Sequence, residues 1–240
     1  MTKLGHAHTI RLLISFALIL TAACSRKEQP PAAEQTTRTA PLTIAQVART
    51  YGLDQFGQVE AIRYTWNAQF PGVSLSHPWI WEPKKDQVTY LRSQLNSQPD
   101  NVKNEIDPSF VNDNYWLLFP LHAYWDKSAT ATDQGMKPLP QGSGSAQLVS
   151  VKYPSDGGYT PGDTWDLYVG KEGRVEQFVY HRGGPKKPST VIATWEGYKK
   201  AGPLLISTDH NGTADGNTVR IFITDVAVKV TGSENWINAQ

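Results

Sequence analysis

Cysteine occurs once in this 240-residue chain, at Cys24. An intrachain disulfide is therefore ruled out, as are zinc sites built from two or four cysteines. Charge is sparse as well: 19% of residues are charged, and the formal net charge is +1. Lys3 and Arg11 lie in the first 23 residues, so the rest of the chain is close to neutral and just below zero. That balance leaves no basic footprint for a nucleic acid. Long hydrophobic runs are missing too. The most apolar stretch near the N-terminus, Leu12–Leu20 (LLISFALIL), falls short of the roughly 20 residues a membrane-spanning helix needs. His77, His122, His181 and His210 are far apart and form no H-E-x-x-H pattern, so no metal site is expected, and no motif calls for a cofactor. A Gly-x-Ser-x-Gly elbow is absent; Gly142-Ser143-Gly144 sits in a flexible-looking stretch instead of a strand-to-helix turn.

The N-terminus is organised in spite of these absences. Lys3 and Arg11 make a basic region, Leu12–Leu20 an apolar one, and the small residues Thr21, Ala22 and Ala23 come just before Cys24. The whole has the pattern of a secretory signal. It resembles a bacterial lipoprotein signal with its lipobox, Leu20-Thr21-Ala22-Ala23-Cys24, with Thr21 where Leu is usual. The resemblance implies cleavage after Ala23 and acylation of Cys24, palmitate being a typical chain, with anchorage to the periplasmic side of the outer membrane because Ser25 and not Asp follows. The alternative is an ordinary cleaved signal with an incidental cysteine. Residues 24–42 are rich in Pro, Gln, Thr and Ala without apolar periodicity, which predicts a flexible tether. Residues 43–240 then form one domain.

Within that domain the densest apolar segment is Asp107–Lys127 (DPSFVNDNYWLLFPLHAYWDK). Asp107 as N-cap and Pro108 as first helical residue predict a helix start. Phe110, Tyr115, Leu117, Leu118, Leu121 and Trp125 recur at helical spacing, and Pro120 predicts a kink or two short helices. Most other segments read as strands. A short helix runs from Thr43 to Tyr51, then Val59–Phe70 alternates, with Ile62, Tyr64, Trp66, Ala68 and Phe70 on one face. Val73, Leu75, His77, Trp79 and Trp81 share a face of a second strand, which Pro78 makes an edge or bulged strand, and Gln87–Leu91 is a third. Arg92–Ile106 reads as a polar connection and Ser128–Ser145 as a long loop. Beyond it come strands at 146–153, 163–169, 174–182, 190–198, 203–208, 218–224 and 225–230, with Gly170–Gly173 as a hairpin turn and Asp209–Asn217 as a polar loop. Strands in series without crossover helices predict a mainly β, α+β fold: a curved antiparallel sheet or unclosed barrel whose concave face is covered by helices.

The aromatic side chains are the best functional clue. Tyr64, Trp66, Phe70, His77, Trp79, Trp81, Tyr115, Trp116 and Trp195 place large rings toward the covered side of the sheet, with Trp125 and Trp165 besides. Either they form a plain aromatic core, or they line a cavity for an apolar ligand between sheet and helix. Glu60, Glu82, Glu176 and Glu196 lie on strands, and a pair of them would be the basis of a hydrolase reading, though nothing selects the pair.

The order of elements, with His77-Pro78-Trp79-Ile80-Trp81, Val88-Thr89-Tyr90 and Trp195-Glu196-Gly197-Tyr198, resembles the lipoprotein carriers of the LolA and LolB type. In those carriers an Arg-Pro pair precedes the aromatic strand; here His77 stands at the Arg position. The resemblance implies an open barrel that binds lipid or acyl chains and is not an enzyme. The nine rings from Tyr64 to Trp195 named above are then the expected ligand-binding set, and Cys24 the membrane anchor. Two other readings stay open, an envelope hydrolase and an interaction lipoprotein with a filled core and an envelope protein partner.

Overall fold

The computed structural model describes residues 41–240 apart from Arg92, residues 95–97 and Gly157, with backbone alone for Ser93, Gln94 and Glu105. The signal segment, Cys24 and the tether up to residue 40 lie outside the described residues. Among the described residues no helix is long and apolar enough to cross a membrane.

Thr43 starts α1 (Ile44–Thr50) through a reciprocal capping box with Gln46. Gly52 follows with φ 98°, and a Cβ there would come within 2.5 Å of the Pro203 carbonyl oxygen, so glycine is required on both counts. β1 (Val59–Phe70) and β2 (Val73–Glu82) then form a hairpin across Pro71 and Gly72. The predicted alternation of β1 is observed, with Ile62, Tyr64, Trp66 and Ala68 buried and Arg63, Thr65 and Asn67 half-exposed. β3 (Gln87–Tyr90) and β4 (Ser93–Gln94) extend the sheet outward. β2 is therefore not an edge along its whole length. Its pairing with β3 ends at Trp79–Tyr90, so Pro78, which has no N–H to give, lies where β1 is the sole neighbour.

The central helix is longer than its apolar run. α2 spans Asp100–Trp125, so Asp107 and Pro108 lie inside it, and the supposed polar connection is helical from Asp100 onward. Val102, Ile106 and Phe110 are spaced four apart and all at least half-buried, which gives the added turns a core-facing stripe. Pro120 cannot donate to the Trp116 carbonyl four residues earlier, and the chain leaves helical geometry at Leu118 (φ −127°, ψ 21°). The kink thus falls two residues before the proline.

After α2 come β5 (Thr130–Pro138), β6 (Ser145–Lys152), β7 (Thr164–Val169), β8 (Val175–His181) and β9 (Thr190–Thr194). Next are β10 (Lys199–Ala201), β11 (Leu204–Ile206), β12 (Asp209–Ala214), β13 (Asn217–Val230) and β14 (Ile237–Asn238). Three sequence expectations are corrected. The 128–145 stretch is mostly strand: β5 pairs along β6, with a bulge at Gln134-Gly135 whose Gly135 N–H bonds the Asp133 carboxylate. The polar loop at 209–217 is a hairpin instead, β12 to β13, turning on Asp215 (φ 47°) and Gly216 (φ 83°), the two left-handed residues of a tight turn. Residues 217–230 form one strand, not two, because a bulge at Asp225 (φ 54°) bends β13 without breaking it. In addition, β10 and β11 make a separate two-stranded sheet, and β9 stops at Thr194.

The main sheet is antiparallel throughout, in the order β4-β3-β2-β1-β13-β12-β9-β8-β7-β6-β5, with β14 beside β13; β4 and β5, the two ends, do not pair, so the sheet does not close. β2 and β7 are six places apart in that order, which on a flat sheet is about 29 Å at ~4.8 Å per strand. Yet Trp79 of β2 packs on Phe110 of α2 and Trp165 of β7 packs on Trp116 and Phe119 of the same helix. A helix only about 10–12 Å wide can touch both because the sheet curves around it. One continuous core fills the space between them.

Candidate ligand-binding site

The nine rings expected from the sequence fall into separate places. Trp66, His77, Trp79 and Trp81 form a stack along β1 and β2: the His77 ring lies 5.3 Å from that of Trp66 at 17°, and Trp79 and Trp81 both meet Phe110. Tyr64 is buried, its hydroxyl accepting from Asn114 Nδ2 at 3.2 Å. Phe70 packs against the core edge at the hairpin end. Trp195 is fully buried against His210 at 4.3 Å and Phe178 at 5.5 Å. Under α2, then, rings rest on rings.

Open space lies to one side of that packing, where Tyr115 and Trp116 are brought together with residues that the sequence reading did not single out. A cleft of about 850 Å³ runs between the middle of α2 and two loops, one between β6 and β7 and the other between β8 and β9. The volume is within the ~300–1,000 Å³ usual for small-molecule sites. Pro108, Val111, Asn112, Tyr115 and Trp116 form the helical wall, Trp165 and Tyr180 come up from the sheet, and Tyr159, Asp163, Arg182 and Lys186 stand on the loop side. The 128–145 stretch does not line it.

Local chemistry holds this shape. Trp165 is clamped among Trp116 at 4.9 Å, Phe119 at 4.1 Å and Tyr180 at 4.8 Å, which fixes the indole at the base of the cleft. Asp163 is buried, and its carboxylate accepts from the Gly183 N–H at 2.8 Å and the Tyr180 hydroxyl at 2.9 Å, tying one loop to the other and to β8. Gly183 leaves no room for a side chain, since a Cβ would sit 2.0 Å from the Pro161 carbonyl oxygen. Burial raises the Tyr180 hydroxyl to about 12, so it is a neutral donor at any ordinary pH. At the mouth, the Tyr159 hydroxyl donates to the Asp107 carboxylate, a strap from loop to helix.

A second polar group anchors α2 from behind. Asp113, almost fully buried, accepts from His77 Nδ1 at 2.7 Å, Trp79 Nε1 at 2.9 Å and Asn112 Nδ2 at 3.1 Å. Burial raises its carboxyl, against the hydrogen bonds from Trp79 and His77 that lower it. His122, stacked on Tyr115 at 4.3 Å and bonded to Asn114 Oδ1 at 2.7 Å, is held down to about 4 by burial. His77 therefore serves the helix anchor in this fold.

The strand carboxylates are elsewhere. Glu60 pairs with Lys84 at 2.7 Å, Glu82 with Lys85 at 2.7 Å, and Glu196 accepts from Asn211 and Thr194, while none of the four strand glutamates lines the cleft. Among the described residues no group of three His, Cys, Asp or Glu could hold a metal ion. The missed cleft residues had only a weak sequence signal, the Gly- and Pro-punctuated runs Tyr159–Trp165 and His181–Pro188, which read as turns until the fold brings them face to face.

No protein-family model and no curated protein matches this chain. Solved structures with a similar layout include a DUF1329 family protein from Desulfovibrio piger, at 9% identity and TM-score 0.44, covering 80% of this chain and 93% of that one. A LolA superfamily protein from Nitrosomonas europaea aligns at 8% identity and TM-score 0.43, over 77% of this chain and 93% of that chain. A structure described as an outer membrane lipoprotein-sorting protein domain, from Vibrio parahaemolyticus, aligns at 11% identity and TM-score 0.41, over 81% and 94%. The likeness is one of chain layout.

Proposed function

We propose that this protein is a lipid-anchored bacterial envelope protein that binds an amphiphile with an apolar chain, carrier-like and without catalysis, and that the cleft between α2 and the two loops is where the chain lies. The observation that carries the reading is the cleft itself: about 850 Å³ of open volume based on two indoles, Trp116 and Trp165, beside a core that is otherwise packed. Burying a chain there supplies about 0.8 kcal/mol per CH₂ before ordering costs, so affinity needs no covalent chemistry. Release of the Tyr159–Asp107 strap would widen the mouth. Acylation of Cys24 and a tether of residues 24–42 would hold the domain near the periplasmic face of the outer membrane, where such ligands are found.

The packed rings beneath α2 also fit a filled-core protein whose business is a protein partner, and the cleft separates the two readings. A two-carboxylate hydrolase finds no pair there, because Asp163 is the one carboxylate in the described lining and both its oxygens are bonded. Tryptophan fluorescence during titration with fatty acids of increasing length tests the proposal. Affinity should rise by about tenfold for each two added methylenes until the cleft is full. A flat response across chain lengths would remove the ligand-binding reading in favour of the partner protein.

A further inference from the structure

The loop side of the cleft carries an electrostatic asymmetry. Arg182 is aligned by two hydrogen bonds, Nε to the Tyr180 hydroxyl at 3.4 Å and Nη1 to the Lys187 carbonyl at 3.2 Å. These two bonds use different edges of the guanidinium, and neither uses Nη2. Lys187 turns away to Asp215 at 3.6 Å, but Lys186 stays on the cleft wall. Among the described residues no carboxylate forms an ion pair with Arg182 or Lys186. Asp163, the acid in the lining, is committed to the Gly183 N–H and the Tyr180 hydroxyl. Tyr180 stands between the two charges, donating to Asp163 and accepting from Arg182. An oriented guanidinium with unused donors, and an ammonium without an ion pair in the lining of the same cleft, make a receptor for an oxyanion. The indoles of Trp116 and Trp165 lie in the same cleft, so oxyanion and apolar chain would be parts of one molecule.

We infer that the ligand is an anionic amphiphile, a carboxylate or phosphate monoester on an apolar chain, with its headgroup held by Arg182 and Lys186 and its chain over Trp116 and Trp165. The inference rests on the cleft reading above and adds the charge and orientation of the ligand. Headgroup at the loops and chain toward α2 is the one polarity that meets both halves of the cleft. The loop conformation is built for it. Gly183 allows the close approach to Pro161 that sets Arg182 beside Tyr180, and a Cβ at Gly184 would meet nothing within 4 Å, so that side of the loop is open to the headgroup.

The test uses the full chain carrying Cys24→Ser, titrated at low salt with myristate, myristyl alcohol and inorganic phosphate, and followed by tryptophan fluorescence. Myristate should bind at least about tenfold more tightly than the alcohol, as expected for a charge-assisted headgroup contact. That advantage should shrink as salt rises. In Arg182→Gln/Lys186→Gln the ratio of myristate to alcohol affinity should fall to about one. Lys186→Gln alone, at an exposed side chain, should lose part of the preference and serves if the double variant does not fold. Equal binding of myristate and alcohol by the unaltered protein would overturn the anion assignment and leave the cleft reading standing. A myristate preference that survives in the folded double variant would place the anion elsewhere. Inorganic phosphate binding as tightly as myristate would make the site a free-anion site and overturn the amphiphile. Binding of no chain at all would remove both readings.

Discussion

His210 has no solvent exposure and lies between two carbonyl oxygens, with Nε2 3.1 Å from Trp116 O and Nδ1 3.2 Å from Thr194 O. Two acceptors favour the doubly protonated ring, but burial is the larger effect and holds the imidazole down to about 4. The neutral ring donates to one carbonyl only. Because the folded value is below the ordinary 6.5, the unfolded chain binds the proton first, and stability present above pH 6.5 is lost as pH falls toward 4. The loss amounts to about 3 kcal/mol for a shift of this size. His122 shifts in the same direction, while the raised Asp113 acts in the opposite sense at the acid end. Urea unfolding at pH 7 and pH 5 should show the decrease, and His210→Gln, which keeps an amide donor but no titration, should make it smaller while the share of His122 remains. An unchanged slope in that variant would show that His210 does not carry the effect. Nothing in the sequence marked His210, since Asp209–Asn217 reads as turn formers and its burial depends on where β12 meets α2. The cap residue Thr43 was legible because its partner, Gln46, is three residues away.

Among the elements, α2 and β12 compensate each other. Pro120 takes from the helix the N–H that would bond the Trp116 carbonyl, and His210 of β12, whose Nε2 lies 3.1 Å from that oxygen, supplies a donor from across the core when its proton is on Nε2. A helix defect is thereby converted into a tie between helix and sheet. His210→Phe should cost about 2 kcal/mol by leaving that carbonyl buried and unpaired. Pro120→Ala restores the helical N–H, so His210→Phe should cost less by about 1 kcal/mol in the Pro120→Ala background, read from denaturation midpoints of the four variants. Strict additivity would mean that the histidine and the proline do not share the carbonyl. Local pattern was a good guide to strands with one buried face, such as β1, and to turns such as Gly170–Gly173, where Gly173 has φ 73°. It misled at β5, a polar edge strand whose burial pattern has no fully buried residue, so that its partner β6 and not its own composition makes it a strand. It also stopped α2 short, because the turns before Asp107 show only Val102 and Ile106 as apolar marks.

At the scale of the whole molecule, an open sheet curved around one kinked helix leaves a cleft where the helix and two loops part. The curved, unclosed architecture was legible from strands in series and a single apolar helical segment, whereas the cleft was not. It is made of residues from 108 to 186 whose approach is decided by the order of strands; of the nine rings expected at a ligand, Tyr115 and Trp116 line it, while Trp66, Trp79 and Trp195 are buried in the core. Ligand occupancy of that cleft is the central claim. Native mass spectrometry of the protein purified from the cells that make it, beside a Val111→Trp variant that fills the cleft from the helical wall, tests it most directly. A co-purified amphiphile is expected on the unaltered protein, and a bare polypeptide for folded Val111→Trp. The same bound mass on both, or none on either, would contradict it.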